Sequence, residues 1–378
     1  MVMSILFFLM LILFADCSSK ASIKSSCEEV MPLAQYPTVV IELANERAIY
    51  PTTYINEPYK FFKNHRFVHQ TEGGMVVINS APITLHHLED AVVTPYRNKY
   101  LVWDTAKGRR VQIRNESSLE FTMWLKSQIS ALEERSEDIE QIDNLLLVDP
   151  WWHNSYFHDI GIELGTVLLC QGSPYIGELK CCLSKATSKL DAYLTEKGVS
   201  IWRHKEKPFK VKNLFVLEQR SLDNNTVIHN RTREFVMPLL RSPISPKLKI
   251  LISRSDAFCR RCVNEDSLLE ILRPFGFQKV ILSEMDILSQ FALFRDSDFI
   301  ISPHGAALTH LVCCEADTKV VELFRQDTQT SICFFSIASI YRLKHYTYVG
   351  DSDGSGSDYL VDVSQFKAWL ENVIGNLD

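Results

Sequence analysis

From Lys247 onward the chain alternates short apolar runs with helix-length segments, and this constrains the fold more than any other feature. "KLKILIS", "QKVILS", "DFIIS", "KVVELF" and "HYTYV" read as strands, and each is followed by a helical stretch. Parallel strands need long crossovers, and crossovers are right-handed, so helices must cover both faces of one sheet. The expectation is a Rossmann-like α/β domain over 248–378, with ligands at the carboxyl ends of its strands.

Upstream the texture differs. From Thr38 to Ile113, β-type runs such as "TVVIEL", "MVVINS", "AVVTPY", "KYLVWD" and "RRVQIR" are separated by turn residues, and "DTAKG" reads as a hairpin loop. A helical stretch is expected over Ser118 to Glu140. "NLLLVDP" and "KNLFVLEQ" then read as buried strands, with "SYFHDIGIELGTVLLC" as a helix between them. "MPLLRSPISPK", Met237 to Lys247, holds three prolines and marks a linker. The N-terminal domain is therefore bounded at 28–236, a Rossmann-like unit preceded by a β-hairpin-rich segment.

The apolar run Ile5 to Ala15 is too short to span a bilayer and suits a secretory signal within 1–19. It has no basic flank, so an uncleaved membrane anchor is the alternative. Ten cysteines and sequons at Asn115, Asn224 and Asn230 agree with an oxidising lumen, either the secretory pathway or outside the cell. A formal charge of −6 gives no basic stripe for nucleic acid.

Chemistry concentrates at predicted strand ends. "SPHGAA", Ser302 to Ala307, is either a phosphate cradle at a helix start or a tight corner that binds nothing. Arg254 ends the strand of "LISRSDAF" and suits a diphosphate, or is a surface arginine. Glu322, inside "KVVELF", needs a partner if buried, and a ribose diol would serve. His158 in "HNSYFHDIG" is a candidate base or a structural histidine. Cys259-x-x-Cys262 with Cys313-Cys314 could suggest zinc, but the second pair lacks the usual spacing, and they read as disulfides or buried thiols. "DSDGSGSD", Asp351 to Asp358, reads as a solvated acidic turn rather than a calcium loop.

Taken in order, these segments resemble glycosyltransferase family 61 over roughly Leu251 to Phe324. Ser253-Arg254, Asn264-Glu265, Gln290, "PHGAALTHL" and "VVELF" match its pattern, and "YFHD" is similar to its upstream histidine segment. The chain departs from it at Ala307, where a glycine is usual, and at His310, where an asparagine is. Ile162 also stands where an acid usually follows His158.

The resemblance implies a two-domain GT-B fold and an inverting, metal-independent transfer from a nucleotide-sugar, a UDP-sugar above all, to a hydroxyl of a glycan or glycoprotein. It implies no cofactor beyond the donor. Arg254 with His304, Gly305 and Ala306 would hold the diphosphate and Glu322 the ribose. His158, oriented by Asp159, would be the base. The "DSD" at Asp296 to Asp298 precedes its strand and is not a metal motif. The alternative is a secreted GT-B relative that binds glycan or nucleotide without transfer.

Overall fold

The structure is a computed structural model that describes residues 30–32, 38–42, 47–51, 68–70, 75–79, 83–96, 99–112, 127, 129, 139–148, 156–171, 179–183, 185–203, 207–217, 226–325, 333–354 and 356–374. The segment 1–19, Cys17, Cys27, the sequons Asn115 and Asn224, and nearly all of the helix expected over 118–140 lie outside these residues. Among the described residues no helix is long and apolar enough to cross a membrane.

The carboxyl half forms a six-stranded sheet in the order Phe277–Val280, Leu248–Ile252, Ser297–Pro303, Lys319–Arg325, Lys344–Ser352, Tyr359–Leu360. All neighbours are parallel except the last pair. Side chains alternate between the faces with the strand period of two. Leu251, Ile301, Val321 and Leu323 pack beneath the helices Glu265–Leu272 and Val363–Ile374. Ile250, Ile252, Ile300 and Val320 join the helices Ile287–Arg295 and Cys333–Ile340 on the other face. The first strand of the half lies second in the sheet, so the winding reverses between Leu248–Ile252 and Ser297–Pro303. In such sheets a crevice opens at that reversal, outside the carboxyl ends of the two strands.

The amino half is built differently from the expectation. Arg47–Pro51, Met75–Asn79 and Val68–Gln70 form a separate antiparallel three-stranded sheet, whereas the other hairpin strands belong to a nine-stranded mixed sheet shared with the buried strands. Ile83–Tyr96, a 14-residue strand, pairs antiparallel with Lys99–Asp104 on one side and Phe209–Leu217 on the other. Gln141–Leu147, Lys180–Cys182 and Ser200–Trp202 continue the sheet in parallel. One apolar cluster runs without a break from Leu146 and Leu217 to Ile250 and Ile300, so the two sheets share a core.

Two expected α-helices take other forms. Phe157–Glu163 is a π-helix that passes into the α-helix Leu164–Gln171. Ala306–Cys313 is a 3-10 helix, and two of its side chains bond backwards by three residues. Thr309 Oγ1 donates to Ala306 O at 2.7 Å, and His310 Nδ1 meets Ala307 O at 2.8 Å.

Several other readings are corrected. The eight described cysteines are free thiols, most of them buried, so the disulfide expectation fails for them. The sequon asparagine Asn230 sits half-buried in the helix Thr226–Val236 and accepts from Tyr341 Oη at 3.2 Å. Asp358 is not solvated. It is 4% exposed and accepts from Arg261 Nε at 2.7 Å and Arg261 N at 2.9 Å, tying the acidic turn to the Cys259–Cys262 loop.

Candidate active site

The strand Leu248–Ile252 delivers Ser253 and Arg254 to the winding reversal. Ser253 Oγ donates to both oxygens of Glu265, at 2.7 and 2.9 Å, and Lys279 Nζ pairs with Glu265 at 2.9 Å. Arg254 therefore leaves the sheet from a fixed point. Its Nη2 donates to Cys259 O at 3.3 Å, and its guanidinium lies directly against Gly305. A β-carbon built on Gly305 would sit 2.1 Å from Arg254 Nη1. Gly305 has an extended backbone, with φ 171°, so the glycine is needed for this close approach and not for its conformation. Burial and then the nearby Arg260 push the pKa of Arg254 down from its ordinary value.

The neighbouring strand Ser297–Pro303 delivers His304, whose backbone N–H is taken by Leu323 O at 2.9 Å. The His304 ring lies on Phe324 and points Nδ1 at Glu322 Oε1, 2.5 Å away. The other oxygen of Glu322 meets His345 Nε2 at 2.9 Å. Burial would raise the pKa of Glu322, but the hydrogen bonds from His304 and His345 outweigh it and hold the carboxyl at about 2. Both oxygens are thus engaged by imidazoles inside the sheet, and the ribose role expected of Glu322 finds no support in this geometry.

A cavity of about 260 Å³ opens beside Arg254. Ala306, Ala307, Gln290 and His310 line it, with Tyr156 joining them from the amino half. Gln290 Nε2 donates to Leu282 O at 2.8 Å and Met285 O at 3.0 Å, which fixes the turn there. Ala307 needs no left-handed backbone, so an alanine is accommodated where a glycine was expected. His310 is completely buried; Nδ1 faces a carbonyl and so must carry the hydrogen, which leaves Nε2 to accept from Tyr156 Oη at 2.9 Å.

Burial holds the pKa of His310 down to about 4. The unfolded chain takes up that proton near the ordinary value of about 6.5, so stability falls as pH drops from about 6.5 to about 4. The loss is on the order of 3 kcal/mol at the bottom of that window. Glu322 acts lower, losing its contribution between about 4.5 and 2. Urea unfolding at pH 7 and pH 4.5 should show this loss in the wild type and a much smaller one in His310→Asn.

His158 lies in the first turn of the π-helix, two residues after Tyr156, half-buried and edge-on to Phe157 at 5.1 Å. Asp159 beside it is 1% exposed. The π-helix packs on the turn after His304: Phe157 and His304 both contact Phe334, and a β-carbon on Gly161 would sit 3.2 Å from Thr309 Cγ2. The structure thus brings Arg254 onto Gly305 and His304 onto Glu322, with Ala306 at the cavity. It does not bring His158 into a described contact with any of them. Asp296 pairs with Arg295 at 2.8 Å inside the core, consistent with a structural acid. Sequence reasoning missed Tyr156 and His345. Among the described residues no group of three or more His, Cys, Asp or Glu could hold a metal ion.

The family model described as Glycosyltransferase 61 matches residues 29–321, more than three quarters of the chain. The EGF domain-specific O-linked N-acetylglucosamine transferase of Drosophila melanogaster is 26% identical over 131 residues. That match covers 33% of this chain and 25% of the relative, so the chain spans about a quarter of the relative's length.

Proposed function

This chain belongs to glycosyltransferase family 61, and on that premise we propose that it moves a sugar from a UDP-sugar to a hydroxyl of a glycan or glycoprotein. The observation that carries the reading is the Arg254 guanidinium laid on Gly305 at the winding reversal, beside an open cavity. A fixed cation at that rim offsets the charge that develops on a departing diphosphate, and His304 and Ala306 line the same turn. With that charge met by protein groups, the transfer needs no metal. We read the two sheets as the halves of a GT-B fold, 28–236 on the acceptor side and 248–378 on the donor side. A single displacement then inverts the sugar carbon, with His158 as base and Asp159 orienting it. The secretory pathway is the proposed location, with the segment 1–19 as signal or anchor. UDP-N-acetylglucosamine is the first donor to test, after the name of the Drosophila relative.

A thermal-shift series with UDP-sugars tests the reading. A specific donor should raise Tm by mass action. Arg254→Ala should abolish the shift and lower turnover by about 10²- to 10³-fold. No shift with any UDP-sugar would overturn the proposal. A shift without product across acceptors would favour the binding relative that does not transfer.

A further inference from the structure

The Glu322 carboxylate is 1% exposed and lies between two imidazoles, each holding one oxygen. An ionised carboxylate only accepts hydrogen bonds, so both nitrogens that face it must carry hydrogens. His304 therefore bears its hydrogen on Nδ1 and His345 on Nε2. His304 Nε2 then remains as the ring nitrogen turned away from the carboxylate. It makes no hydrogen bond among the described residues, and the side chain retains 11% exposure. His345 Nδ1, by contrast, is buried and has no hydrogen-bond partner among the described residues, and Phe335 stands edge-on to its ring. A second hydrogen is therefore better accommodated on His304 than on His345, where it would be an unsatisfied buried donor. A further charged group at this turn is Arg254, against the neighbouring Gly305, with Arg260 and Asp256 near it.

We propose that Glu322 and His345 are positioning residues for His304: the carboxylate fixes the hydrogen on Nδ1 and presents Nε2 to the diphosphate, while His345 locks the carboxylate by holding its second oxygen. The inference rests on the transfer reading above for its ligand, but not for the arrangement of hydrogens. When an anion arrives, Nε2 takes up a proton from solvent and donates a hydrogen bond to the anion, and the imidazolium so formed is stabilised from behind by Glu322. Phe324 and Phe334 pack against the ring and limit its rotation. His345 touches no ligand in this scheme. Without it, one oxygen of a buried carboxylate loses its donor and the group is free to turn away from His304.

The test uses the full chain labelled with ¹⁵N-histidine, read by two-bond ¹H–¹⁵N spectra, together with UDP binding by calorimetry. In the wild type, His304 should show its hydrogen on Nδ1 alone without UDP and on both ring nitrogens with UDP. Glu322→Gln should lose that signature and weaken UDP by about tenfold or more, the size of one charge-assisted hydrogen bond. His345→Gln, whose amide still donates to Glu322, should retain both the signature and the affinity. His345→Phe should lose both. A wild-type His304 with its hydrogen only on Nε2 overturns the proposal, as does a His345→Phe variant that keeps signature and affinity. If His345→Phe fails to fold, the wild-type spectrum and Glu322→Gln still decide. If the wild type does not bind UDP, the transfer reading fails while the spectra alone judge the positioning pair.

Discussion

Gly305→Ala should lower UDP-sugar turnover about 100-fold, the cost of removing one preorganised charge-stabilising donor, with little loss of stability. The added methyl would collide with Arg254 Nη1 at 2.1 Å and approach Cζ at 3.0 Å. Those atoms are the far end of a flexible side chain, so Arg254 swings away rather than the strand unfolding. The backbone at Gly305 is extended and any residue adopts it, which leaves no conformational penalty. A double-mutant cycle isolates the mechanism. In an Arg254→Ala background, Gly305→Ala should cost almost nothing further. Full additivity of the two losses, or a large drop in Tm for Gly305→Ala alone, would show that the glycine serves something other than the arginine.

Gly165→Ala should act on the fold instead. Here the β-carbon would sit 2.2 Å from the carbonyl oxygen of Ile228 and 2.6 Å from Thr232 Oγ1. Backbone cannot swing aside as a side chain does, so the helices Leu164–Gln171 and Thr226–Val236 must separate. The expected cost is about 3 kcal/mol, the upper part of the usual range for over-packing, read from urea unfolding. The separation also reaches the site. Leu164–Gln171 continues the π-helix that begins beside Tyr156, and Arg233 on the second helix donates to Val312 O at 2.6 Å and Cys314 O at 2.8 Å. Donor affinity should therefore fall along with stability. An unchanged unfolding midpoint would mean that the two helices are less tightly apposed than they stand here.

Much of the donor side was legible in the sequence because its signals are local. Arg254 and His304 each follow a short apolar run, and a strand's carboxyl end is where a parallel sheet presents its ligand groups. Ser253 and Glu265 look like separate motif letters in the sequence; in the fold they form one clamp, at 2.7 Å. Glu322 was legible as a buried acid in need of a partner, but the partner was not. His345 lies 23 residues on, in a strand whose register pairs Glu322 with Thr347. Only that register, with the strand period of two, turns His345 onto the same face.

The sequence by itself determined the alternating order of the carboxyl half, hence the parallel sheet and the rim from which Arg254 and His304 emerge. Tertiary structure decided what those residues touch. The strand Ile83–Tyr96 meets Phe209–Leu217 across more than a hundred residues, and that pairing joined most of the hairpin strands to the buried strands in one large sheet. The contact of Arg254 with Gly305 likewise joins two loops that become neighbours only where the winding reverses. Periodicity is written within a segment, because it reflects which side of that segment meets water. Contacts between segments depend on register and packing, which no single segment contains.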